Sequence, residues 1–312
     1  MPLRILHLCD KQVFQNKMSR VRFHSMTAIS KVTDLITSGP KWDGFESVDQ
    51  IEQRVKPDLI IWYQPFGIKN YDKAIAPTCL RYNEMYDINK TINEIKKSNT
   101  KLVICHHKND MNFYIKEFPN LKTKFYNISH CAEKTLFKDY KLQKTTDLLL
   151  VGVLNSFVYP FRSKLKNILK IMEKNYICKI YPHPSYILEN ADNNLHIIDF
   201  AKAINSAKIT LTCSSQYKYL LGKYIEVPMC NSLLAADIPD DDNYKDLQNL
   251  MINLKEDDSY EIIISKLTEF LKNPELIKEL SLKGYKYAIN NCTHENYAIK
   301  FINIVEEFLK TN

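Results

Sequence analysis

Short apolar runs, each long enough for a single strand, alternate with amphipathic stretches over most of this chain. The first set comprises Leu3 to Cys9, Asp58 to Tyr63, Leu102 to Cys105 and Phe125 to Ile128. Between them, Phe23 to Ile36, Ile88 to Lys97 and Ala132 to Tyr140 space their apolar residues three and four apart, which predicts helices with one buried face. Strand-helix alternation of this kind points to parallel sheets, because a parallel neighbour is reached only through a crossover.

After the polar stretch Lys141 to Thr146 the pattern starts again with Asp147 to Val153, Ile177 to Tyr181, Lys208 to Cys213 and Ser232 to Ala236. Pro160 to Lys174 reads as a helix that opens on proline, with Phe161, Leu165, Ile168, Leu169 and Met172 on one face. From Tyr260 onward the chain reads as successive helices, broken near Asn273-Pro274 and at Asn290 to Thr293, and no strand is expected after about Asp237. A length of 312 residues accommodates two ordinary domains, each with its own core.

Composition removes several classes of function. Glycine occurs six times, and neither a GxGxxG nor a Walker-type loop is present, which argues against dehydrogenases and P-loop enzymes. Any phosphate must then be held by helix N-termini and by basic or hydroxyl side chains. The eight cysteines are dispersed without zinc spacing, so reduced, mostly buried thiols and no metal site are expected. The net charge of +7 comes from scattered lysines without a basic stripe, which suits an anionic ligand and argues against a stable nucleic acid partner. The leading apolar run is too short for a signal segment, and no stretch is long enough to span a bilayer, so a cytoplasmic protein without a transmembrane segment is expected.

Two ordered motifs carry a resemblance. Lys223-Tyr224-Ile225-Glu226-Val227-Pro228-Met229-Cys230-Asn231-Ser232-Leu233-Leu234-Ala235-Ala236-Asp237 resembles the donor-site segment of group-one glycosyltransferases, especially the CgeB-like branch. There a basic residue, a Glu, a small-residue helix, Cys-Gly, an apolar strand and an Asp follow one another. Asn273-Pro274-Glu275 through Gly284-Tyr285 to Thr293-His294-Glu295-Asn296-Tyr297 is similar to the same branch's C-terminal signature, with Cys292 where the family places His. Weaker similarities lie at Pro57 to Ile61, Val103 to His107, Ile128 to Lys134, and Asp147 to Gly152 followed by Tyr159-Pro160-Phe161-Arg162.

The resemblance implies an α/β chain of two Rossmann-like domains (GT-B) with an interdomain cleft. Residues 1–143 would form the N-terminal, acceptor-side domain and 146–295 the nucleotide-sugar donor domain. A C-terminal helix at 296–312 would cross back to the first domain. The implied activity is metal-independent transfer of a hexosyl or deoxyhexosyl group to an acceptor hydroxyl, as in glycan biosynthesis. No cofactor is implied beyond a co-substrate, a UDP-, GDP- or dTDP-sugar, and the acceptor would be a glycan, a lipid-linked molecule or a protein.

Glu226 is the residue the family uses to accept hydrogen bonds from the ribose hydroxyls. Lys223 and Arg162 are candidates for the diphosphate, whose charge grows as the glycosidic bond breaks. Ser214 and Ser215 follow a strand end, where hydroxyls either bind phosphate or cap the next helix. His183, between two prolines, either contacts the base or phosphates or serves as a rigid turn. In the first domain, His106 or His107 could face the donor sugar or act as a base on the acceptor, since imidazole titrates near neutrality. Asp10 is a further acceptor-side base or a plain loop residue.

Three departures qualify the pattern. Lys218 stands eight positions before Glu226, where many group-one enzymes have a second Glu that contacts the donor sugar. Asn231 replaces the usual Gly, and Asp10 to Lys17 replaces a glycine-rich loop. Asp240-Asp241-Asp242 has the look of a metal-binding DxD, but its place in a polar loop predicts a solvated turn. Rival readings are a non-catalytic nucleotide-sugar-binding protein and a GT-B-shaped nucleotide-sugar epimerase.

Overall fold

The computed structural model describes residues 2–15, 20–63, 67–82, 85–181 and 193–311. It divides into one unit of Met1–Ser129 with His294–Asn312 and a second of His130–Thr293.

In chain order the first unit begins with strand β1 (Arg4–Leu8), helices α1 (Lys11–Gln15) and α2 (Arg20–Ser30), β2 (Asp34–Ser38) and α3 (Val48–Val55). It continues with β3 (Leu59–Trp62), β4 (Thr78–Tyr82), α4 (Ile88–Lys97), β5 (Leu102–Cys105), α5 (Lys108–Glu117) and β6 (Lys124–Asn127). The second unit has β7 (Thr146–Val151), α6 (Pro160–Met172), β8 (Cys178–Tyr181), α7 (Asn193–Asn205), β9 (Ala207–Leu211) and α8 (Lys223–Met229). It ends with β10 (Leu233–Ala236), α9 (Lys245–Gln248), β11 (Ile252–Asn253), α10 (Tyr260–Leu271) and α11 (Pro274–Asn291), and α12 (His294–Lys310) then belongs to the first unit.

Both sheets are parallel, ordered β2-β1-β3-β4-β5-β6 and β11-β10-β9-β7-β8. The two orders are the same doubly wound scheme, so the fold is α/β with two Rossmann-like domains, as the alternation predicts. In such sheets ligands bind outside the carboxyl ends of the strands, where the winding reverses. That point falls between β1 and β3 in the first unit and between β7 and β9 in the second.

The two-residue period of a strand divides each core into two layers. Leu148 and Leu150 of β7 pack with Phe161, Leu165 and Ile168 of α6, while Leu149 and Val151 pack with Ile197, Ala201 and Ile204 of α7 and with Ile225 and Val227 of α8. Each fully buried side chain of this size contributes about 1.5–3 kcal/mol, so the alternation fixes the strand register. In the first unit Leu6, Ile60, Leu80 and Val103 face α3 and α5. Helix α2 packs with α12, whose Phe301, Val305 and Phe308 are buried.

Three expectations are corrected. The helix expected over Phe23 to Ile36 ends at Ser30, and Asp34–Ser38 is strand β2, paired with β1. Ile29, Val32 and Ile36 mimic a helical stripe, but hydrogen bonding to the edge of β1 overrides it. Ala132 to Tyr140 forms turns, not a helix. The Ala132 N–H donates to Cys292 O at 3.0 Å and the Glu133 carboxylate takes the N–H of Thr135, so the amides are spent outside a helical ladder. A strand does follow Asp237: β11, two residues long, pairs with β10, too short to show a period.

Candidate functional site

At the winding reversal of the second sheet, β7 leads into α6 on one face and β9 leads to α8 on the other. Arg162, in the first turn of α6, lies in the crotch between the two strand ends and is only 2% exposed. Its guanidinium donates to Val153 O at 2.7 Å, to Thr212 Oγ1 at 3.1 Å and to Cys213 O at 3.3 Å. The Tyr159 ring lies against it, 4.0 Å from centroid to Cζ. Gly152 makes this fit possible: its φ is +106°, and a Cβ there would come within 2.7 Å of the guanidinium. Among the described residues every oxygen that Arg162 meets is neutral, so its charge is solvated without being cancelled.

The loop after β9 is organised by one carboxylate. Asp237, at the end of β10 and 5% exposed, accepts from the Ser214 N–H at 2.8 Å and from the Ser214 hydroxyl. The Tyr224 hydroxyl of α8 donates to Asp237 O at 2.7 Å. Burial, with the Asp237 charge second, pushes that phenol well above its ordinary range. Lys218 bridges Asp237 and Glu256 at 3.3 Å each. Burial draws its ammonium downward, but the two carboxylates outweigh this and the net shift is upward. Ser215, at φ +74°, accepts the Tyr217 N–H. Ser214 and Ser215 thus shape the loop that carries the chain into α8.

On α8, Lys223 Nζ lies 2.6 Å from Glu226 Oε2, with the two side chains 21% and 18% exposed. The same ammonium sits 4.9 Å from the centroid of the Phe200 ring on α7. Arg162 on α6, Ser214 and Ser215 in the loop after β9, and Lys223 and Glu226 on α8 all belong to the second unit. His183 lies outside the described residues. Asp241 of the acidic run accepts the N–H and side-chain amide of Asn243 at 2.9 and 2.7 Å and so closes a turn.

The other three candidates belong to the first unit. Asp10 follows β1 at that sheet's own reversal point, where Oδ1 accepts the N–H groups of Gln12 at 2.8 Å and Val13 at 3.3 Å, and Oδ2 meets Lys41 Nζ at 3.0 Å. Burial opposes its ionisation, but the Lys41 bond and the Val13 and Gln12 amides outweigh it and lower its pKa. His106 and His107, at the end of β5, are both buried, and the His106 ring stacks on Tyr297 of α12 with centroids 6.0 Å apart. Beside them Arg81 of β4 donates to the Tyr63 hydroxyl and, at 3.0 Å, to Ser25 Oγ, which meets His294 Nδ1 at 3.0 Å. The Arg81 guanidinium also lies 4.3 Å from the Tyr297 ring centroid.

Sequence reasoning passed over Arg81 and the organising role of Asp237. Asp237 was within reach, since it closes the quoted motif. Arg81 had no signal, because β4 itself was not recognised: Thr78-Cys79-Leu80-Arg81-Tyr82 has a charge at its centre.

No protein-family model matches the sequence, and no curated protein does. Solved structures do match. A glycosyltransferase from Rickettsia africae ESF-5 superposes with a TM-score of 0.63 at 13% identity, covering 100% of both chains. The sucrose-phosphate synthase of Thermosynechococcus elongatus gives 0.62 at 9% identity over 99% of this chain and 100% of its own. An alpha-glucosyltransferase in complex with UDP and a 13-mer DNA containing an HMU base gives 0.62 at 11% identity over 98% and 99%. At such identities the likeness establishes the fold, and these structural neighbours are glycosyltransferases of GT-B type.

Proposed function

We propose that this chain is a glycosyltransferase of the group-one type, CgeB-like branch, which moves a hexosyl or deoxyhexosyl group from a nucleotide-sugar to an acceptor hydroxyl without a metal. The observation that carries the reading is the reversal point of the second sheet, where Arg162 is buried among neutral oxygens, while the carboxylate of Glu226, only 18% exposed, stands on α8, the helix that follows the loop after β9. A nucleoside diphosphate needs those two things, a cationic field for the phosphates and an acceptor for the ribose hydroxyls. The neighbour structure from Anabaena in complex with UDP and glucose, at TM-score 0.54 and 10% identity, supports a donor of this class.

In this reading the second unit holds the donor. As the bond from the anomeric carbon to the diphosphate breaks, negative charge collects on the leaving oxygen, and Arg162 stabilises it from a site already oriented by Val153, Thr212 and Cys213. Ser214, anchored to Asp237, keeps the strand end in shape. The acceptor hydroxyl is taken up by the first unit. Asp10, with a quarter of its side chain exposed, is one candidate to receive the proton, and His106 and His107, buried at the end of β5, are the others. We place the protein in the cytoplasm, in glycan biosynthesis.

A thermal-shift screen against UDP-, GDP- and dTDP-sugars tests the donor site. A ligand at a hundred times its Kd stabilises the native state by about 2.7 kcal/mol. The expected hit is lost in Glu226→Ala, whose unliganded midpoint should fall by no more than the loss of one ion pair allows. Product analysis with and without acceptors then separates transfer from an epimerase, which converts the donor alone, and from a binding protein, which does neither. The DNA-bound neighbour makes one more acceptor class worth a trial. DNA binding that weakens steeply with salt is the result that would move the assignment there.

A further inference from the structure

Lys223 was matched to the diphosphate by its place in the motif, and the geometry points to a different task. We infer that Lys223 is a positioning residue, holding the Glu226 carboxylate in the orientation from which it grips a ribose, and that it is not a phosphate ligand. The inference rests on the nucleotide-sugar reading above and deepens it.

Two fields already fix the ammonium. One is the Glu226 carboxylate at 2.6 Å, the other the face of Phe200 at 4.9 Å from the centroid. To reach a phosphate, Lys223 would have to leave both and strand a carboxylate that is only 18% exposed. Among the described residues Glu226 has no other polar partner for its carboxylate, so Lys223 alone fixes which way the plane of that group faces. The contrast with Arg162 decides between the roles: a cation cancelled by a carboxylate offers a phosphate little field, whereas one surrounded by neutral oxygens offers all of its own.

The other carboxylate oxygen is left for the ligand. Glu226 Oε1 lies 3.2 Å from where a Cβ on residue 222 would stand. Gly222 has φ −51° and ψ −30°, angles any residue adopts, so what the glycine supplies there is space for that oxygen. With Oε2 tied to the ammonium and Oε1 lying in the gap beside residue 222, the carboxylate is oriented before a ligand arrives, which lowers the ordering cost of binding.

The test uses the full chain and calorimetric titration with UDP, 2′-deoxy-UDP and uridine, replaced by the GDP or dTDP series if the screen selects that base. Lys223→Met is expected to weaken UDP and uridine by the same factor, roughly tenfold. It should also shrink the preference for UDP over its 2′-deoxy form, and Lys223→Arg should restore most of both. The double variant Lys223→Met with Glu226→Gln should be no weaker than Glu226→Gln alone. A loss confined to UDP, an additive double variant, or no loss at all overturns the inference. Should Lys223→Met not fold, Lys223→Gln carries the same comparison. Failure of the wild type to bind any of the nucleotides would instead remove the reading beneath it.

Discussion

Among the described residues each unit buries one arginine near the carboxyl ends of its strands, and the two are surrounded in opposite ways. Arg81 projects from within β4 and is walled by the Tyr63 and Tyr297 rings, with Ser25 of α2 linking it to His294 at the start of α12. Arg162 projects from the first turn of a helix toward the carboxyl ends of β7 and β9, where the chain leaves the two paired strands, with a glycine behind it and carbonyls around it. The first is enclosed by side chains of three elements and joins them. The second stands where the winding of the sheet leaves a crevice. A buried cation alone therefore says nothing about function, and its partners and its place at the end of the sheet have to be weighed with it.

That contrast can be broken by experiment. The largest effect is expected for Arg81→Met, which opens a void and removes the guanidinium that meets the Tyr63 and Ser25 hydroxyls, at a cost of about 3 kcal/mol in urea unfolding. Nucleotide affinity of the folded fraction should not change. If affinity falls and stability does not, the two arginines have been assigned the wrong way round.

Arg162→Lys keeps the charge but loses the fork. UDP affinity is expected to drop roughly tenfold, about 1.4 kcal/mol, with uridine unaffected. Equal losses for both ligands would mean that Arg162 only braces the strand ends.

The smallest effect concerns acid. Burial, then the nearby His24 and Arg81 charges, hold the His294 imidazole well below its ordinary pKa of 6.5. A base depressed in the folded state binds fewer protons than the unfolded chain does. Its contribution is therefore complete above pH 6.5 and fades as pH falls from there toward the folded value. Urea midpoints taken at descending pH should show the first unit weakening through that window, and His294→Gln should flatten the profile. A profile unchanged by that substitution would detach His294 from the Arg81 network.

Most of the fold was legible because parallel strands buried on both faces read as apolar runs. Leu102 to Cys105 is strand β5 and Ile88 to Lys97 is helix α4, at the ends the sequence suggests. What escaped notice has physical causes. Strand β2 continues the apolar spacing of the helix before it, β4 carries a buried arginine, and β11 has two residues. The candidate site was legible as types of residue and not as partners. The sequence brought Glu226 and Lys223 forward together, yet the 2.6 Å contact that sets their relation depends on the helical turn between them. Arg162 could be placed on a helix start, but the neutral oxygens around it come in part from Thr212 and Cys213, far away in the chain.

One topological detail bears on how the protein is made. The second unit, His130–Thr293, interrupts the first, and its two ends lie side by side, with Ala132 bridged to Thr293. Translation at about 5–20 residues per second therefore delivers an entire lobe before the first one receives its last helix. Until Tyr297, Phe301, Val305 and Phe308 emerge, the side of the first sheet that α12 will cover stays open to chaperones and to other nascent chains. The lobe begun first is the one finished last.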